Sequence, residues 1–207
     1  MKLTFFFDYS SPFAYLGAHG VEKLARDHSA DLAWRPFLLG ALFKEIGTPI
    51  VPLQAMPPAK QQYAYKDMMR WAAYREAPFE FPSRFPMNTV KALRMTLQLD
   101  QADVSKLALP IFQAYWAEDR DINDPEELKK IASDAGLDGE ALLAGTQDQA
   151  IKDQLRDNTN AAVKVGLPGA PGFFVQKDDD DPGMLFWGQD RFELIGKALD
   201  GWRPDCG

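Results

Sequence analysis

Lys2-Leu3-Thr4-Phe5-Phe6-Phe7-Asp8-Tyr9-Ser10-Ser11-Pro12-Phe13-Ala14-Tyr15-Leu16-Gly17 carries the reading of the fold. Lys2 to Phe7 is short, aromatic-rich and not strictly alternating, as expected of a strand buried on both faces. It stops at Asp8-Tyr9-Ser10-Ser11-Pro12. A helix follows over Phe13 to His28, with Phe13, Leu16, Gly20, Val21, Leu24 and Ala25 along one face. Pro12 suits the first helical position, where its missing N–H has no intrahelical partner to lose. Ser11 is then the natural N-cap. A second strand is expected at Leu32 to Pro36, so the chain opens strand–helix–strand, the start of an α/β unit.

Further along, residues 41 to 163 contain little that reads as strand. Pro49, Pro52, Pro57 and Pro58 mark an irregular loop. Helices are expected over Lys60 to Ala77, Asn88 to Asp100, Val104 to Glu118, Pro125 to Ala135, Gly139 to Ala144 and Thr146 to Val165. Asp124-Pro125-Glu126-Glu127 is a helix start, and Gly136 and Gly166 are stops. Gly172 to Gln176 and Met184 to Trp187 flank an Asp-rich turn and form a hairpin. Gly188-Gln189-Asp190-Arg191 opens a last helix through Leu199. The order βαβ, helical block, ββα is that of an α/β thioredoxin-like fold with a large all-helical insertion. Residues 1–40 and 164–207 form the thioredoxin-like domain in this reading, and 41–163 the insertion.

Composition narrows the function. The chain has 207 residues, 46% of them hydrophobic, enough for a sizeable core. Its 23 basic and 30 acidic residues leave a net charge of −7. Without a dense Lys/Arg block this is a poor match for nucleic acid or an anionic membrane. Cys206 is the single cysteine, so no internal disulfide is available and an oxidising compartment is not required. The amino terminus lacks a signal-peptide pattern, and no apolar run is long enough for a membrane span. A cytoplasmic protein is expected.

Features with chemical content come at three places. Ser11 sits at a helix N-terminus, where free N–H groups and the dipole favour an anion. Thiol oxidoreductases place a low-pKa cysteine at such a position, but Ser11-Pro12-Phe13-Ala14 contains no sulfur. The serine could donate a hydrogen bond to a thiolate brought by another molecule; the spacing is equally that of a plain N-cap. Gly169-Ala170-Pro171-Gly172 precedes a strand, and its X-Pro bond is a candidate for the cis form against a trans base rate. A cis bond there leaves the Ala170 backbone open to an extended ligand, as in strand addition. Gly188-Gln189-Asp190-Arg191 could hold the carboxylate and ammonium of an amino-acid moiety, or serve only as a helix cap.

The chain resembles the 2-hydroxychromene-2-carboxylate isomerases and kappa-class glutathione transferases, in the DsbA-like branch of the thioredoxin superfamily. The resemblance runs through Phe7 to Gly17, Trp34-Arg35-Pro36, Pro58-Ala59-Lys60 with Asp67 and Arg70-Trp71, Gly169-Ala170-Pro171, and Phe186 to Arg191. It implies that Ser11 hydrogen-bonds the sulfur of glutathione. It further implies that Ala170 and Pro171 pair with the cysteinyl part, Gln189 and Asp190 hold the γ-glutamyl end, and Lys60 faces the glycine carboxylate. Thr48 falls where relatives carry an asparagine, and Gln189 where they carry serine or asparagine; both departures keep hydrogen-bonding ability. Tyr63 and Asp67, one helical turn apart, are candidates to face the second substrate, or are ordinary solvated residues. The implied chemistry is reversible addition of the glutathione thiolate to an unsaturated 2-oxoacid, with glutathione regenerated as a cofactor. A homodimer is implied as well.

Competing functions remain open at this point. A kappa-like transferase or peroxidase shares the same half-site and would consume glutathione. A non-enzymatic binding scaffold would fail to bind it. Disulfide exchange is excluded by the absence of a Cys-x-x-Cys pair. Metal hydrolysis is disfavoured because His19 and His28 lie on a surface-type helix without ligand spacing. Trp71, Trp116, Trp187 and Trp202 read as packing residues, Cys206 as a tail residue, and Asp178 to Asp181 as a solvated turn.

Overall fold

Phe5, Phe6 and Phe7 are at most 1% exposed, because the strand that carries them runs inside a sheet. In the computed structural model, which describes residues 1–205, β1 (Lys2–Phe7) has a neighbour on each side. The sheet order is β2 (Asp31–Pro36), β1, β3 (Gly172–Gln176), β4 (Met184–Trp187). β1 pairs parallel with β2 and antiparallel with β3, and β3 pairs antiparallel with β4. A parallel pair needs a crossover, supplied by α1 (Pro12–Asp27). Phe5 stands opposite Trp34 on one side and Phe173 on the other. Its ring meets theirs at 5.1 Å edge-on and 5.2 Å stacked. Burying each such phenylalanine contributes about 1.5–3 kcal/mol.

Eight helices lie between β2 and β3 among the described residues: α2 (Leu39–Ile46), α3 (Pro52–Ala55), α4 (Pro58–Tyr74), α5 (Val90–Thr96), α6 (Val104–Trp116), α7 (Pro125–Asp134), α8 (Gly139–Gly145) and α9 (Gln149–Lys164). The helix α10 (Phe192–Leu199) is the last regular element among the described residues. α6 carries a long core face, from Val104 to the fully buried Trp116. β2 is a sheet edge, and side chains cover its backbone groups. Gln101 accepts from the Trp34 N–H at 2.7 Å and donates to its carbonyl at 3.2 Å, while Asn158 donates to the Pro36 carbonyl at 3.0 Å.

Several expectations shift. The stretch read as an irregular loop holds α3, opened by Pro52, and Pro58 opens α4 two residues before Lys60. Both prolines act as helix starters because neither position needs an N–H. α2 was not foreseen; its amphipathic run is short, with only Leu39, Leu42 and Phe43 buried. Gly188 to Arg191 form a turn, and α10 begins at Phe192. Phe13 is 36% exposed, turned away from the face shared by Leu16, Val21 and Leu24. Trp116 packs as read and Trp71 is half-buried, but Trp187 and Trp202 are exposed by 55% and 41%. His28 is half-buried and meets Asp200 at 2.7 Å. Cys206 lies outside the described residues.

Candidate functional site

The loop between β1 and α1 is held from several directions. Asp8 is 1% exposed. Its Oδ1 accepts from the Ser10 N–H at 3.0 Å and the Thr89 hydroxyl at 2.7 Å, and its Oδ2 from the Leu39 N–H at 2.8 Å. One carboxylate therefore ties the loop to the start of α2 and to the residue preceding α5. Burial pushes its pKa up, against the pull of these donors. Tyr9 is likewise buried; its hydroxyl pairs with Thr96 Oγ1 at 2.6 Å, and its carbonyl accepts from Trp116 Nε1 at 2.8 Å. The Ser11 N–H donates to the Asp8 carbonyl at 3.1 Å.

Ser11 emerges from this clamp as the N-cap of α1, 4% exposed. Its Oγ accepts from the Ala14 N–H at 3.2 Å and donates to the Ala170 carbonyl at 2.9 Å. The capping role is real, and the hydroxyl also reaches the second half of the fold. The Ala170-Pro171 bond is cis, so the base-rate expectation of a trans proline does not hold here. Beyond it, the Pro171 carbonyl accepts from the Gly188 N–H at 3.2 Å, joining this loop to the turn before α10. Gly169 lies close under Trp187: a Cβ there would stand 3.1 Å from the indole Nε1.

Gln189 is 2% exposed, and its Oε1 is buried with no hydrogen-bond partner among the described residues. Asp190 is exposed, 3.6 Å from the Arg191 guanidinium. Ser11, Ala170, Pro171 and the Gly188–Asp190 turn thus form one bonded cluster. Lys60, Tyr63 and Asp67 lie along α4, and Thr48 follows the Gly47 cap of α2. None of these four hydrogen-bonds to the cluster among the described residues. Lys60 is exposed and Tyr63 62% exposed. Arg70 sits 5.8 Å from the Tyr63 ring centre and 3.9 Å from the Asp67 carboxylate. Two clefts lie elsewhere, one between α7 and α8 and one of about 120 Å³ beside β2.

Asp8 and Arg75 escaped the sequence reading. Asp8 directly follows a buried strand, where a carboxylate has few solvated places to go; that was its signal. Arg75 follows α4, and its Nη2 donates to the Gln189 carbonyl at 3.0 Å. The pairing spans 114 positions, and no local pattern announces it.

Residues 2–200 match the model of DSBA-like thioredoxin domains. The chain belongs to the DSBA-like thioredoxin family. Within the family it is 30% identical over 204 residues to the 2-hydroxychromene-2-carboxylate isomerase of Sphingobium xenophagum, covering 95% of this chain and 97% of that protein. Glutathione S-transferase kappa 1 of Rattus norvegicus is 29% identical over 208 residues, covering 95% and 90%. The solved structure of a 2-hydroxychromene-2-carboxylate isomerase shares the fold, with a TM-score of 0.82 at 24% identity over 97% of this chain and 95% of that one. The chain is thereby placed among enzymes of this DSBA-like family. Its DSBA-like helix start carries Ser11-Pro12-Phe13-Ala14 with no sulfur.

Proposed function

We propose that the chain is a glutathione-dependent isomerase of unsaturated 2-oxoacids from aromatic degradation, of the 2-hydroxychromene-2-carboxylate type. The observation that carries this reading is the Ser11 hydroxyl at the start of α1, bonded to the Ala170 carbonyl beside Pro171. The donor set fits a γ-glutamyl thiol peptide. Ser11 supplies a hydroxyl donor at a positive helix end. Ala170 supplies backbone groups for an extended chain, and Gln189 has a buried acceptor with no partner. When bound, glutathione supplies a reversible nucleophilic sulfur that this motif lacks.

The protein's own residues then bind and orient. Ser11 turns its hydroxyl proton from Ala170 toward the sulfur and, with the positive end of the α1 dipole, favours its anionic form. Asp8 fixes the Ser11 backbone, so the donor is preorganised. Ala170, Gln189 and Asp190 anchor the peptide, and Lys60 and Thr48 serve its far end. Tyr63 and Asp67 face the second substrate. We further propose a cytoplasmic homodimer acting on small molecules, in which the helices of 41–163 form a unit apart from the thioredoxin-like halves.

Similarity to the rat kappa transferase favours a second reading, in which glutathione is conjugated or oxidised. One assay separates them. The enzyme is given an unsaturated 2-oxoacid with substoichiometric glutathione, and isomerisation and remaining thiol are both followed. Turnover beyond the glutathione supplied, with the thiol undiminished, supports the isomerase. Thiol consumed in step with product favours the transferase, and no dependence on glutathione overturns both.

A further inference from the structure

We propose that Arg75 is a positioning residue for the γ-glutamyl end of glutathione, acting through the main chain of Gln189; this rests on the glutathione reading above. The guanidinium lies between α1 and α10. Its centre is 4.0 Å from the Phe192 ring centroid, in the range of a cation–π contact. Gly20 of α1 leaves it room: a Cβ there would stand 2.6 Å from Nη1 and 2.6 Å from the Phe192 ring. Nη2 donates to the Gln189 carbonyl at 3.0 Å. This bond fastens the turn that precedes α10 to the end of α4.

The electrostatics of the place point to an amino-acid moiety. No carboxylate lies within ion-pair distance of the half-buried Arg75 among the described residues. Its Nε is buried without a hydrogen-bond partner. The amino end of α10, eight residues long, adds positive potential on the same side. Set against this, Gln189 holds its buried, unpartnered Oε1 acceptor, and Asp190 contributes a negative charge nearby. A surplus of positive potential suits a carboxylate, and the free amide oxygen beside Asp190 suits an ammonium. By fixing the Gln189 main chain, Arg75 sets where that acceptor stands.

The test compares glutathione with cysteinylglycine, which lacks the γ-glutamyl residue, in wild type and Arg75→Met. Binding is read by calorimetry, turnover by kcat and KM, and folding by circular dichroism. Arg75→Met is expected to weaken glutathione about tenfold to a hundredfold, the scale of a hydrogen bond to a charged group. Cysteinylglycine affinity and kcat at saturation should change little. Equal losses for both ligands, or no loss for glutathione, would overturn the inference, because a merely structural arginine does not discriminate between them. If Arg75→Met does not fold, Arg75→Lys carries the same comparison and is expected to lose glutathione selectively. Wild type that binds no glutathione overturns the underlying reading instead.

Discussion

The Ser11 hydroxyl donates to the Ala170 carbonyl at 2.9 Å, across 159 positions of sequence. The bond joins the start of α1 to the loop that leads into β3. It gives the hydroxyl proton a resting acceptor and aims it between two backbone segments. Ser11→Ala removes that donor and the cap together. Stability is expected to fall by about 1–2 kcal/mol. The proposed isomerase activity is expected to fall about tenfold to a hundredfold, the scale of a hydrogen bond to a charged group. Thiolate absorbance of bound glutathione, followed against pH, should shift to higher pH in the variant. An unchanged thiolate titration would remove Ser11 from the chemistry and leave it a cap.

Asp8 links the loop before Ser11 to α2 and to Thr89, ahead of α5. Asp8→Asn replaces one acceptor oxygen by a donor group while the Leu39 N–H or the Ser10 and Thr89 donors still face it. A loss of about 1–3 kcal/mol is expected. The pH dependence has a definite sign. Burial raises the folded-state pKa of Asp8 above its ordinary 3.8. The folded state therefore binds more protons than the unfolded chain, and the stability from this group falls as pH rises from about 3.8 to the raised value. Urea titrations across that window should show wild-type stability falling relative to Asp8→Asn as pH rises. A difference that is flat or grows with pH contradicts the assignment.

Gly20 is the gap that seats Arg75. In Gly20→Ala the new methyl meets the guanidinium and the Phe192 ring at the same 2.6 Å, so both must move. Overpacking of this kind costs about 1–3 kcal/mol, readable as a lower urea midpoint. Glutathione affinity should fall with it, because Gln189 loses its fixed neighbour.

Glu76 holds a left-handed backbone, φ 53°, immediately after Arg75. The Ala77 N–H returns to the Ala72 carbonyl at 2.9 Å, closing the helix in the manner that glycine favours. Glu76→Gly relieves the crowding of its Cβ at the cost of chain entropy. A gain of up to about 1 kcal/mol is expected in thermal denaturation, with glutathione binding unaltered. A loss of stability would show that the Glu76 side chain contributes more than its backbone strain costs.

Local chemistry determined a large part of this molecule. A run of three phenylalanines ending in Asp8, a proline in the first turn and a serine before it are enough to specify strand, loop and capped helix. Those preferences act over a few residues: burial of apolar rings, a missing N–H, and a side-chain oxygen within reach of an orphan donor. The same local rules located the Ala170-Pro171 loop, but they read Gly188 to Arg191 as the opening of a helix where the chain forms a turn. They did not set the isomer of the Ala170-Pro171 bond, whose two forms differ little in energy until neighbours choose between them. They also misplaced the start of α10 and passed over α2, whose apolar face is too short to stand out from a loop.

What only the tertiary structure decided are relationships between distant segments. The sheet order places β1 between β2 and β3, and this carries Ala170 to Ser11. Packing of α4 against α1 carries Arg75 to Gln189. The apolar surroundings of Asp8 make its carboxylate a buried tie with a raised pKa rather than a solvated charge. Each depends on chain closure over many residues, where the deciding energies are burial and desolvation shared among elements, and no single stretch of sequence contains them.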